Sequence, residues 1–184
     1  MAPKASIASL SLGRAWVYPL EAKFDQAAAH NFTGIELFYE DLEYLAKTIP
    51  EGPTRSNLLH AATRTRAMCN SRRLTILCLQ PFMHYEGILN ASEHARRIAD
   101  FQFWLLLCKI LGTELIVVPS TFLTEGVTGD RIVLISNMRE IADLAAQQQP
   151  VDAYKLVCDV DRASFGTCLD TFNICGREFA DPAA

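Results

Sequence analysis

Two acidic residues of this sequence lie in or at the end of predicted strands. Asp170 closes the short apolar part of the stretch 165–176, and Glu36 lies inside the apolar run 33–38. In α/β folds, ligands bind at the carboxyl ends of the strands. A carboxylate there can hold a metal ion or a substrate. An aspartate in this position can equally end the strand as an Asx turn or a helix cap.

Glu36 and Arg14 are candidates for further roles near the same edge. Glu36 is either a functional carboxylate or one that faces the interior with a partner, and the cost of burying an unpaired carboxylate favours a role in a site. Arg14 follows the first predicted strand beside Gly13. A guanidinium there could clamp a substrate carboxylate through two hydrogen bonds, or it could be a surface arginine. Asp41 could simply begin the next helix.

The loop after the third predicted strand holds Gln80 and His84. His84 could contact a substrate or act as a base. A loop histidine without a visible partner is more often structural or solvated, so both interpretations stay open. Phe82 and Tyr85 could form the wall of a pocket, or they could belong to the core.

The elements that would position these residues alternate between strands and helices. Apolar and β-branched runs predict strands at residues 4–12, 33–38, 74–79 and 114–119. Apolar residues at helical spacing predict helices at 19–30, 42–49, 57–72, 92–111 and 130–149. This alternation is typical of a parallel sheet with right-handed crossovers, so the sequence predicts an α/β fold.

The alternation breaks after residue 149. A strand is due there, but 152–160 has the pattern of another helix, and 150–152 is too short for a strand. The stretch 165–176 then supplies a fifth strand. A complete (β/α)₈ barrel needs eight strands and about 250 residues. The sequence therefore predicts one partial domain over residues 1–184: an incomplete TIM barrel with about five parallel strands and flanking helices.

Composition argues against several classes of protein. The net charge of −4 gives no dominant basic field, so neither a nucleic acid nor a membrane is an expected partner. The six cysteines form no CxxC pair and mostly lie in apolar runs, which is typical of buried thiols in a reducing compartment. The first residues lack the apolar segment of a secretory signal. We therefore expect a cytoplasmic protein.

Four motifs at the predicted strand exits occur together and in order: SLSLGR at 9–14, GIELFYED at 34–41, LQPFMHYEG at 79–87 and CLDTFNI at 168–174. Together they resemble the fungal 3-dehydroshikimate dehydratases of quinate catabolism, which belong to the xylose isomerase-like TIM-barrel superfamily. The resemblance covers nearly the whole chain and implies a lyase that converts 3-dehydroshikimate to protocatechuate and water.

The resemblance also implies roles for individual residues. Asp170 matches the family's aspartate ligand of a divalent metal, expected to be magnesium, manganese or cobalt. His84 and Glu36 become candidate catalytic groups. Candidate contacts to the small-molecule substrate, 3-dehydroshikimate, are Arg14, Gln80, Phe82 and Tyr85.

The same resemblance predicts that this chain is inactive. The family's glutamate ligand lies on the strand that is missing between Pro150 and Asp152, and two more ligands lie on strands beyond Ala184. One carboxylate does not hold a catalytic metal in a defined geometry, so we expect no stable metal binding. The alternatives are a non-catalytic barrel fragment and a sugar-phosphate isomerase or epimerase. Exposed apolar edges of an open sheet further predict self-association.

Overall fold

The computed structural model describes residues 5–147. The elements, in chain order, are β1 (Ser6–Ala8), a 3₁₀ turn (Ser9–Leu12), α1 (Leu20–Ala29), β2 (Gly34–Phe38), α2 (Tyr39–Lys47), α3 (Arg55–Ser71), β3 (Thr75–Gln80), α4 (Ala91–Leu111) and α5 (Arg131–Ala146). The predicted helix 152–160 and the predicted strand within 165–176 lie outside the described residues.

The chain divides into two compact units, Met1–Asn137 and Met138–Ala184. The first unit holds the sheet, α1–α4 and the start of α5. The described part of the second unit is 138–147, the carboxyl-terminal part of α5. The single domain predicted over 1–184 stays a prediction.

The sheet is parallel, as the alternation of strands and helices predicts. Its order is β1-β2-β3, with Ile7 beside Ile35 and with Glu36 beside Cys78. A bulge between Ile35 and Glu36 shifts the register of the β2–β3 pair. The alternate residues Ile35 and Leu37 are fully buried, whereas Glu36 is only partly buried. Glu36 therefore points to the face of the sheet opposite Ile35 and Leu37.

The predicted fourth strand, 114–119, forms only a single parallel bridge between Ile116 and Leu79. On one side, the Thr113 hydroxyl donates to the Leu77 carbonyl (2.6 Å). In a longer ladder, that carbonyl would accept from the Leu115 N–H instead. On the other side, Pro81 has no N–H, and the Phe82 N–H donates to the Val117 carbonyl instead (2.9 Å). The position of the strand is thus correct, but its predicted length is wrong.

The structure corrects two other predicted boundaries. The first strand ends at Ala8 because the Ser9 hydroxyl accepts from the Phe38 N–H (2.9 Å), where a longer strand would offer a backbone carbonyl. The second helix starts at Tyr39 and not at residue 42, so the strand runs directly into the helix. Glu40 and Asp41 then lie in its first turn, where acidic side chains are favourable.

The longest helix, α4, has a capping residue at each end. Gly112 has φ 75°, the left-handed conformation that ends many helices. At the start, the Asn90 side chain accepts from the Ser92 and Glu93 N–H groups, so Asn90 caps the helix. Among residues 5–147, no helix is both long enough and apolar enough to cross a membrane.

Candidate functional site

The exits of β2 and β3 bring two of the predicted site residues together. The Gln80 amide nitrogen donates to the Glu36 Oε2 oxygen at 3.2 Å. Glu36 pairs with Cys78 and Phe38 with Gln80 across the two strands, so this contact lies at the carboxyl edge of the sheet. Glu36 therefore has the partner that a part-buried carboxylate requires.

Arg14 reaches the same end of the sheet but is held by a carboxylate of the protein. Its guanidinium lies 3.0 Å from Glu40 Oε2, and it stacks 4.4 Å from the centre of the Trp16 ring. Glu40 also accepts from the Ala15 N–H at 3.1 Å. The Arg14 side chain is 46% exposed, so an anionic ligand can approach it. The predicted clamp would have to compete with Glu40.

Asp41, which the sequence suggests as a helix start, also forms a buried ion pair. Its Oδ1 lies 2.7 Å from the Lys23 ammonium. The Asp41 side chain is 2% exposed and the Lys23 side chain 1% exposed. The Ser9 hydroxyl donates to Asp41 Oδ2 at 2.7 Å. These bonds join the exits of β1 and β2 to α1. The sequence pattern does not single out Lys23. A lysine in a helix is usually a surface residue, and the local sequence gives no sign that this one is buried against Asp41.

His84 is fixed by the loop that follows Val117. Its Nδ1 lies 3.2 Å from Thr121 Oγ1, and its ring meets Phe122 edge to face with the centroids 4.4 Å apart. The backbone of His84 has φ 54°, in the left-handed region. A shared catalytic role would suggest a contact between His84 and Glu36. Among the described residues, the hydrogen bond of the His84 ring goes to Thr121 and not to Glu36.

The rings of Phe82 and Tyr85 lie in the core. Their exposed fractions are 1% and 0%. Phe82 packs edge to face against Trp104 at 5.2 Å, and the Tyr85 hydroxyl donates to the Asn137 carbonyl at 2.9 Å. Their predicted contact with a substrate stays a prediction, and in this structure both rings are buried where the chain leaves β3.

A cleft of about 760 Å³ opens beside the β3 exit, between the start of α2 and the side of α4. Residues from both helices and from the loops line it, including Tyr39, Met83, His84, Arg97 and Trp104. Tyr39 stacks on Trp104 with the ring centroids 4.5 Å apart. Burial, followed by the nearby Glu43 carboxylate, raises the pKa of Tyr39 to about 12, so its phenol is neutral at physiological pH.

Arg97 ties the β3 exit loop to α4. Its guanidinium donates to the Met83 carbonyl and to Asp100 (3.3 Å), and it lies 4.3 Å above the Phe82 ring. Burial lowers the pKa of Arg97, and the Asp100 carboxylate offsets part of this lowering. The guanidinium stays charged, because the ordinary pKa of arginine is very high. The cleft thus combines a cation, a neutral phenol and aromatic surface.

The described residues do not fit a catalytic metal. Within 5–147, no three histidine, cysteine, aspartate or glutamate side chains converge on one point. Glu36 and Gln80 offer two oxygen-bearing side chains, but the Gln80 amide is engaged as a donor to Glu36. Asp170, the predicted metal ligand, lies outside the described residues. No step of the chemistry is therefore assigned to a metal.

Comparison with known proteins places this sheet and its neighbouring helices in a family. The family described as "Xylose isomerase-like TIM barrel" matches residues 24–184, which is most of the chain. The chain belongs to the xylose isomerase-like TIM-barrel family. The predicted fold class and the predicted superfamily are thereby confirmed.

Two curated relatives of this xylose isomerase-like chain are named 3-dehydroshikimate dehydratase. The protein from Neurospora crassa is 38% identical over 210 residues, covering 100% of this chain and 58% of the relative. The protein from Pseudomonas putida is 28% identical, covering 97% of this chain and 28% of the relative. The chain therefore spans 58% or less of the length of these relatives. The resemblance to a fungal dehydratase is confirmed.

Two solved structures share the fold of this family member. A xylose isomerase-like TIM barrel/4-hydroxyphenylpyruvate dioxygenase fusion protein superposes with a TM-score of 0.67 at 24% identity, covering 87% of this chain and 26% of its own. The probable 3-DHS dehydratase AsbF from Bacillus anthracis has a TM-score of 0.64 at 17% identity, with coverages of 88% and 61%. At these identities the likeness shows the fold alone.

Proposed function

We propose that this chain supplies part of the substrate site of a 3-dehydroshikimate dehydratase, a lyase that forms protocatechuate and water in quinate catabolism. The observation that carries the proposal is the 38% identity with the Neurospora crassa protein across all of this chain. The aligned region of 210 residues exceeds the 184 residues of this chain. The relative thus has residues in that region without a counterpart here, which supports the predicted internal deletion.

Glu36 is the residue we assign to proton transfer. Removing water from 3-dehydroshikimate requires a proton acceptor beside the carbon next to the ketone. The Gln80 amide holds Glu36 Oε2 at 3.2 Å, which orients the carboxylate and leaves Oε1 for a substrate proton. Gln80 would then act by positioning Glu36, in addition to any substrate contact of its own.

Arg14 is the residue we assign to the substrate carboxylate. Its guanidinium already binds one carboxylate, Glu40, at 3.0 Å, so its position suits an anion of this shape. A bound substrate would share or displace Glu40. Displacing it costs little free energy, since exposed ion pairs contribute only about 0–1 kcal/mol.

A divalent metal, expected to be magnesium, manganese or cobalt, would supply Lewis-acid chemistry if it were held, but no step is assigned to it because the described residues do not fit one. Asp170 is the one ligand of this metal that the resemblance assigns to this chain. A solved relative of the same fold is described as an IOLI protein with a binding zinc atom, at 15% identity. That description concerns the other protein only.

The proposal is tested by incubating the purified chain with 3-dehydroshikimate and each metal, measuring binding by calorimetry and protocatechuate by its ultraviolet absorbance. We expect binding that is weakened in Glu36→Ala and Arg14→Gln, without turnover, because the resemblance assigns a single metal ligand, Asp170, to this chain and one carboxylate does not hold a catalytic metal in a defined geometry. Normal turnover would contradict the predicted inactivity. Absence of both binding and turnover would support the alternative, a non-catalytic barrel fragment.

Two further properties belong to the proposal. A cytoplasmic location is supported by the buried thiols of Cys69, Cys78 and Cys108, which suit a reducing compartment. Self-association is supported by the exposed side chains of Leu77 and Leu115, at 38% and 50%, beside the single-bridge edge of the sheet.

A further inference from the structure

The two ring nitrogens of His84 have different surroundings. Nδ1 lies 3.2 Å from the Thr121 hydroxyl, and Phe122 packs against the ring. Nε2 has no hydrogen-bond partner among residues 5–147, and His84 lines the 760 Å³ cleft. Nε2 is therefore the nitrogen left for a ligand, and its protonation state decides what His84 can do there.

The hydrogen bonds of Thr121 decide where the imidazole proton lies. Thr121 Oγ1 accepts from the Leu123 N–H at 3.3 Å. A threonine hydroxyl has a single proton to donate and two lone pairs. If His84 Nδ1 carried the proton, the hydroxyl would accept twice, and its own proton would lack an acceptor among the described residues. If Nδ1 is unprotonated, the hydroxyl donates to it and each group has a partner.

The Thr121 oxygen is held in place through the backbone as well. The Thr121 N–H donates to Glu86 Oε1, and Glu86 is 94% buried, with 6% of its surface exposed. The adjoining Gly87 N–H is bound by the Asn137 side chain at 2.8 Å. Since Glu86 and His84 belong to the same exit loop, Thr121 is bound at two points to the loop that it orients.

We infer that Thr121 is a positioning residue that holds neutral His84 in the tautomer with its proton on Nε2. His84 then presents an N–H donor to the cleft and binds an acceptor oxygen, such as a carbonyl, carboxylate or hydroxyl oxygen. It is not the base. The tautomer is inferred from the contacts of Thr121; the identification of the acceptor as an oxygen of 3-dehydroshikimate rests on the proposed function.

The test is nitrogen NMR of the full chain with ¹⁵N-labelled histidine, at about pH 8.5, above the range in which an ordinary imidazole titrates. His84 is assigned among the four histidines by the signal lost in His84→Asn. We expect the Nε2–H pattern in the wild type and in Thr121→Ser, which keeps the hydroxyl. In Thr121→Val both ring resonances should move towards those of a free imidazole.

A proton on Nδ1 in the wild type would overturn the inference, and so would identical His84 spectra in the wild type and Thr121→Val. If Thr121 had only a structural role, the His84 spectrum would not depend on whether residue 121 carries a hydroxyl, as it does in the wild type and Thr121→Ser but not in Thr121→Val. Addition of 3-dehydroshikimate separates the two proposals. A shift of the Nε2–H signal supports the substrate contact. An unmoved signal in the expected tautomer overturns that contact and leaves the tautomer supported.

Discussion

Glu40 and Asp41 are consecutive in the first turn of α2, yet their ion pairs differ completely in environment. Asp41 and Lys23 are buried, with 2% and 1% of their side chains exposed, and Ser9 completes the set of bonds. Glu40 and Arg14 are 18% and 46% exposed. The buried pair has no water to replace a lost partner, whereas the exposed pair has. The first is therefore part of the scaffold, and the second is available for exchange with a ligand.

The largest effect should come from breaking the buried pair. Asp41→Ala leaves the Lys23 ammonium buried without a counter-charge, and we expect a loss of about 3–5 kcal/mol in the free energy of unfolding. Urea denaturation followed by circular dichroism measures it.

The matched control is the double variant Asp41→Ala/Lys23→Met, which removes the charge as well as its partner. It should recover much of the stability that the single variant loses. If the free energy of unfolding of Asp41→Ala lay within about 1 kcal/mol of the wild-type value, the pair would behave like an exposed one.

A smaller effect on stability is expected for the exposed pair. Glu40→Gln should change the free energy of unfolding by about 1 kcal/mol or less, since both side chains remain hydrated. It should also tighten binding of 3-dehydroshikimate, because Arg14 no longer has to leave a carboxylate. Calorimetry checks the affinity, with Arg14→Gln as the variant that should weaken it. Equal affinities in Glu40→Gln and the wild type would remove Arg14 from the substrate site.

The last effect concerns Tyr39, the residue before Glu40, and it is absent at neutral pH. Burial raises the pKa of Tyr39 to about 12 in the folded chain from an ordinary value of 10.0. Between these values the unfolded chain loses the proton and the folded chain keeps it, so stability falls as pH rises from 10.0 towards about 12. Tyr39→Phe should lose less stability over this interval. Parallel pH profiles of the two proteins, measured by urea denaturation, would contradict this.

The sequence predicts the elements of this fold better than the bonds between them. β2 and β3 follow from apolar runs, and Gly112 marks the end of α4, because these signals are local. The shortened fourth strand depends on the Thr113 hydroxyl reaching Leu77, a contact between residues distant along the chain. Only Pro81, on the other side of that bridge, gives a visible sequence signal.

The candidate site divides in the same way. Position at a strand exit predicts Glu36 and Gln80, and the structure joins them. Nothing in the local pattern predicts that Lys23 would pair with Asp41, or that Thr121 would reach His84, because each bond depends on tertiary placement. The aromatic residues Phe82 and Tyr85 satisfy a pocket and a core equally well in sequence, and only packing distinguishes the two.

The left-handed backbone of His84, with φ 54°, bears on how this position can vary during evolution. Glycine, asparagine and aspartate adopt this conformation most readily, and β-branched residues are strained there. Substitutions should therefore drift among His, Asn, Asp and Gly, whatever the chemistry of the loop. The histidine here therefore meets a requirement of the backbone turn in addition to any role of its ring.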